Sequence, residues 1–197
     1  MAEHDFDEGK RRFLLTATTV ATGVAAGAAA VPFVGSMLPS ERAKAAGAPV
    51  EVDLSDLMPG QKKTVEWRGK PVWIVRRTPE MLKAVKEDDE RVADPASKRS
   101  QQPNYAKNEY RSLKPEYLVL IGICTHLGCS PVDRFQEEPQ PFDPNWNGGF
   151  YCPCHGSLFD LAGRVYKNKP APDNLVVPPY KFLGETKLVI GEDTQGA

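Results

Sequence analysis

Histidine is scarce in this chain: three residues in 197, at positions 4, 126 and 155. Any chemistry needing a crowd of imidazoles is excluded. Cysteine is nearly as rare, with four residues, too few for the disulfide-dense scaffold of a small secreted domain. Neither charge is in excess, since 25 Lys+Arg face 26 Asp+Glu. That balance argues against a nucleic-acid binder held by a basic face. Repeats and low-complexity tracts are missing as well. Eighteen Pro and sixteen Gly argue against a helical bundle. The length allows one domain, or one domain with an appendage.

Charge is absent altogether from 13 to 40, between Arg12 and Glu41. The apolar part, 13–38, is long enough to cross a bilayer as a helix, which takes about 20 residues. Thr hydroxyls are tolerated in such a helix because they bond back to its carbonyls. Pro32 is expected to kink or end it. Lys10-Arg11-Arg12 precedes the run, and basic flanks stay cytoplasmic. The expectation is a cytoplasmic, unstructured 1–12, a single-pass anchor in a bacterial inner membrane over 13–38, and everything later outside. Arg11-Arg12-Phe13-Leu14 resembles a twin-arginine export signal without its usual spacer. Reading Lys10-Arg11 as the pair restores the spacing but loses one Arg. Ala43-Lys44-Ala45 resembles a cleavage site, yet the run exceeds the signal-peptide core of about 7–15 residues. An uncleaved anchor is expected, followed by a hinge or tether over 39–49.

From Val50 the pattern changes to strands. Residues 50–54 and 64–68 alternate with period two, 71–77 is β-branched, and Gly69-Lys70 is a turn candidate between the last two. Thr78-Pro79 opens a helix expected to reach Glu90. Residues 91–116 read as surface loop, 116–124 as a buried strand, and 187–190 as another strand. The exported domain, 50–192, is therefore expected to be all-β, with a tail at 193–197.

Every cysteine lies in one of two short segments, Cys124-Thr125-His126-Leu127-Gly128-Cys129 and Cys152-Pro153-Cys154-His155-Gly156-Ser157. Two of the three histidines are there too. Two thiolates and two imidazoles suit a structural Zn²⁺ in a stapled binding module. They suit equally an iron–sulfur cluster with mixed ligands. A four-ligand site leaves two cysteines over, and in an exported domain spare thiols tend to pair.

The two segments resemble the paired boxes of Rieske iron–sulfur proteins, and most closely those of cytochrome bc complexes (ubiquinol:cytochrome c oxidoreductase, complex III). The likeness extends to the basic N-terminus, the anchor, the Ala/Gly tether and Pro170-Ala171-Pro172. It implies an antiparallel β sandwich with a cluster-binding subdomain at about 118–172, carrying one [2Fe–2S] cluster. Cys124 and Cys152 would hold one iron, and His126 and His155 the other. Cys129 and Cys154 would form a disulfide. Imidazoles in place of two thiolates raise the potential from about −400 mV toward about −150 to +300 mV.

The resemblance further implies that His155 accepts the hydrogen bond of a quinol hydroxyl. Ser157 would donate to a bridging sulfide, Leu127 would shield the cluster tip, and Pro170 and Pro172 would cover a third side. Phe159 stands where many relatives have a Tyr that bonds a ligand sulfur, so a potential at the low end of the subgroup is expected. Lys169 replaces a usual Gly, and 133–149 reads as an insertion. The implied function is electron transfer from ubiquinol to a c-type cytochrome, contributing to proton translocation. Activity would require cytochrome b and the c-type cytochrome, in a dimeric complex. The alternative is a Rieske subunit of another exported oxidoreductase, such as an arsenite oxidase. A Rieske oxygenase is excluded, because its mononuclear iron needs two further His and only His4 remains.

Overall fold

A computed structural model of the chain describes residues 7–193. They form two compact units, divided at residues 45 and 46. His4 and residues 194–197 of the expected tail lie outside the described residues.

The first unit is dominated by α1 (Glu8–Ser36), which is long and apolar enough to cross a membrane. It starts upstream of the apolar run, because the Asp7 side chain caps it by accepting from the Lys10 amide at 3.0 Å. Glu8 then complements the helix dipole. Residues 8–12 are thus helical, which corrects the unstructured 1–12. Thr18 and Thr19 donate to the carbonyls of Leu14 and Leu15 at 2.8 Å. Pro32 lies inside the helix, which continues to Ser36. The tether contains a short helix, α2 (Glu41–Ala46).

The second unit is built of nine strands in three antiparallel sheets. The first holds β1 (Val50–Asp53), β9 (Lys187–Ile190) and β8 (Tyr180–Phe182), in that order. The second holds β2 (Lys62–Trp67), β3 (Lys70–Arg76) and β4 (Tyr117–Ile121). The third holds β5 (Val132–Arg134), β6 (Gly149–Cys152) and β7 (Ser157–Phe159). The β2–β3 turn is Arg68-Gly69 rather than Gly69-Lys70. Both residues have positive φ, 52° and 70°, as the two-residue turn matched to strand twist requires. Helix α3 (Pro79–Glu87) is capped by Thr78, as expected, but stops short of Glu90.

One core joins the first two sheets through Val72, Ile74, Leu120, Tyr180 and Ile190. β4 is buried at every position. A smaller core of Val92, Trp146, Leu158 and Tyr166 supports the third sheet. Residues 133–149 are therefore no loose insertion. They carry a strand at each end and the buried Trp146, whose Nε1–H donates to the Arg134 carbonyl at 2.9 Å.

The segment 91–116 is not a surface loop either. Val92, Asp94, Ser97, Gln102, Ala106, Arg111 and Ser112 are all buried. The reason is polar rather than apolar. Arg111 enters the interior to satisfy backbone carbonyls, while Ser112 accepts from the buried Arg77 at 2.9 Å. Patterning reads an arginine as surface, so it misses this kind of burial.

Candidate metal centre

Two turns of the same construction present the cysteines and histidines. In the first, the Gly128 amide donates to the Cys124 carbonyl at 3.1 Å. In the second, the Gly156 amide donates to the Cys152 carbonyl at 2.9 Å. Each is a five-residue turn closed on its leading cysteine. Each needs a left-handed glycine, and φ is 82° at Gly128 and 75° at Gly156. The shared Cys-x-x-x-Gly spacing carries this signal, and motif reading oriented to ligands passes over it. The first turn follows β4, and the second joins β6 to β7.

The pairing in space matches the sequence expectation. The Cys129–Cys154 disulfide ties one turn to the other, and Cys124 and Cys152 remain as free, buried thiols. The sulfurs of Cys129, Cys152 and Cys154 lie within 4.8 Å of one another, but two of them are consumed by the disulfide. The two free thiols face each other. Burial pushes the Cys124 thiol up, opposed by the His126 backbone amide and the Ser157 hydroxyl. A bound metal supplies the positive charge that turns such thiols into thiolates. The rings of His126 and His155 meet edge to face at 4.8 Å between centroids. His126 Nδ1 is buried without a hydrogen-bond partner. An orphaned ring nitrogen beside two buried thiols is what a metal ligand looks like before its metal is counted. The residues present fit a [2Fe–2S] cluster.

A third segment closes the site. The Ala171 amide, between Pro170 and Pro172, donates to Ser157 Oγ at 3.0 Å. Thr125 Oγ1 donates to the Asp173 carbonyl at 2.6 Å. Thr125 was missed by sequence reasoning, although a hydroxyl inside the first box was in plain view. Left-handed backbone in this segment falls on Asn168, with φ 57°, so Lys169 stands in for Gly without strain. Phe159 is fully buried in the same core as Cys124 and Cys152. Leu127, next in sequence to His126, is 71% exposed, and His155 is exposed as well.

Residues 99–181 match the family described as "Rieske [2Fe-2S] domain". Residues 1–40 match "Ubiquitinol-cytochrome C reductase Fe-S subunit TAT signal". The chain is 56% identical over 197 residues to the ubiquinol-cytochrome c reductase iron-sulfur subunit of Allochromatium vinosum, covering all of this chain and 95% of that one. The chain belongs to the Rieske iron–sulfur subunit family. The corresponding subunit of Bradyrhizobium diazoefficiens is 43% identical over 182 residues, covering 92% of this chain and 94% of that one. Among solved structures, a chain of a hyperthermophilic respiratory Complex III is 29% identical, covers 88% of this chain and 98% of that one, and has a TM-score of 0.46. As in the Rieske family, the chain carries one [2Fe–2S] cluster. The twin-arginine reading of its N-terminus is borne out, and nothing supports a zinc module or an arsenite oxidase subunit.

Proposed function

We propose that the chain is the electron-transfer subunit of a ubiquinol-oxidising cytochrome bc complex, working with cytochrome b and a c-type cytochrome in a dimeric assembly. Cys124 and Cys152 hold one iron, and His126 and His155 hold the other. One observation carries this reading: two buried free thiols and two imidazoles in edge-to-face contact sit on two turns tied by a disulfide. When bound, a [2Fe–2S] cluster in this donor set supplies a one-electron acceptor of raised potential.

The chain's own residues do the rest. His155 is exposed, so its imidazole can accept a hydrogen bond from a quinol hydroxyl and then take up that proton. Leu127 offers an exposed apolar surface and excludes water from the contact. Ser157 holds the Pro170–Pro172 loop by accepting the Ala171 amide and keeps its own proton to donate toward sulfur. The histidine edge is then presented to the c-type cytochrome.

The anchor spans residues 13–38, of which 13–36 lie in α1, with a hinge over 39–49 and the Rieske domain over 50–192. Lys10, Arg11 and Arg12 keep the N-terminus cytoplasmic and place the domain in the periplasm. Low-temperature EPR of the ascorbate-reduced complex tests the whole reading. The expected result is an anisotropic signal with average g below the free-electron value. A signal only after dithionite would instead mean a low-potential, ferredoxin-like role. Absence of iron under both conditions would sink the proposal.

A further inference from the structure

Arg111 is fully buried and left-handed, with φ 51°. It forms no ion pair among the described residues. Its Nη1 donates to the carbonyls of Ala162 and Gly163, both at 3.1 Å. Its Nη2 donates to the Leu175 carbonyl at 2.6 Å and to Gln102 Oε1 at 3.1 Å, while its Nε has no partner. Burial pushes the guanidinium down to about 9, so it stays cationic at neutral pH. A buried cation without a contacting counter-ion is unfavourable, and here Asp160 and Asp94 support the charge only from a distance. What this one does is grip backbone carbonyls, and Leu175 ends the segment that closes the metal centre.

That segment, 170–175, touches each cysteine–histidine turn by one hydrogen bond, at Ser157 and at Thr125. Its middle is held by Arg99, which donates to the Pro172 carbonyl and to Asp173 Oδ1, the latter at 3.0 Å. A second arginine from the same connection, 91–116, thus grips the same segment upstream of the first grip. Both cluster-facing hydrogen bonds lie between or beside the two grips.

We propose that Arg99 and Arg111 form a clamp that positions the 170–175 segment against both turns, and so sets the hydrogen bonding around the cluster. Both are positioning residues. The inference rests on the ligand assignment proposed above and adds to it a mechanical support from a region without ligands.

The test uses the full chain assembled in its bc complex, with the variants Arg99→Gln and Arg111→Lys and the control Lys181→Gln. Redox titration by EPR reads the midpoint potential, and hydrogen exchange reads the Ala171 amide. The Arg99 side chain is 48% exposed, and water screens its charge. A potential shift in Arg99→Gln therefore reports the segment's position, not a lost cation. The expected result is a lower potential and Ala171 exchange about tenfold faster, the equivalent of one hydrogen bond. Arg111→Lys should show the larger change, and Lys181→Gln none. An Arg99→Gln complex with the wild-type potential overturns the proposal, whatever its exchange rate. If Arg111→Lys fails to assemble, Arg99→Gln decides alone. Failure of the ligand assignment shows separately, as a wild-type complex lacking the Rieske signal.

Discussion

Ser157 uses its hydroxyl in two directions, accepting the Ala171 amide and facing the Cys124 sulfur. Ser157→Ala leaves a buried amide without a partner, at a cost of about 1–3 kcal/mol. It also removes a donor that favours the more negative, reduced site. The expected outcome is an assembled cluster with a lower midpoint potential, read by redox titration; an unchanged potential would confine Ser157 to loop support. Phe159→Tyr should act in the opposite sense, raising the potential if the phenol donates to a ligand sulfur, because the ring already packs in the core of Cys124 and Cys152. At this scale the sequence was most readable where residues are rare. Four cysteines and two histidines in two short segments mark a metal site, though the donor types alone suit zinc as well as iron. Thr125, Gly128 and Gly156 went unnoticed because hydroxyls and glycines are common, and their work shows only in the hydrogen bonds they close.

Trp146 does for the third sheet what the large aliphatic core does for the others. It packs with Tyr166 at 5.8 Å and bonds the Arg134 carbonyl. Trp146→Ala should cost about 3–5 kcal/mol and lower the thermal midpoint. Early loss of the EPR signal on heating would place the damage in the cluster-bearing sheet. The disulfide crosses the same region with a sequence separation of 25. Chain entropy assigns it about 3.5 kcal/mol, so Cys129→Ser should lower chemical-denaturation stability by up to that amount. β1 and β2, with a clear period of two, and β3, a β-branched run, could be read in advance. β5, β7 and β8, at three residues each, could not, since three residues set no period. The connection 91–116 misled for a different reason. Its arginines and prolines look solvated, yet Arg111 is fully buried because it answers carbonyls the sheets leave open.

For the whole molecule, the N-terminal address and the folded domain are parts of one requirement, since twin-arginine export carries proteins already folded. Replacing Arg11 and Arg12 together by Lys should block export of the domain, measured by its protection from external protease in spheroplasts. Lys10→Gln should leave it accessible. Blocked export in Lys10→Gln as well would make Lys10-Arg11 the working pair. The metal centre, meanwhile, has a marked inner and outer side. Cys124 and Cys152 belong to the main core, whereas Leu127, Cys154 and His155 are exposed. A donor and an acceptor that both approach by the exposed edge are then rivals for one berth. Occupancy by either excludes the other, so turnover is a strict alternation. A redox-inert c-type cytochrome should therefore slow quinol oxidation in competition with the quinol, not independently of it.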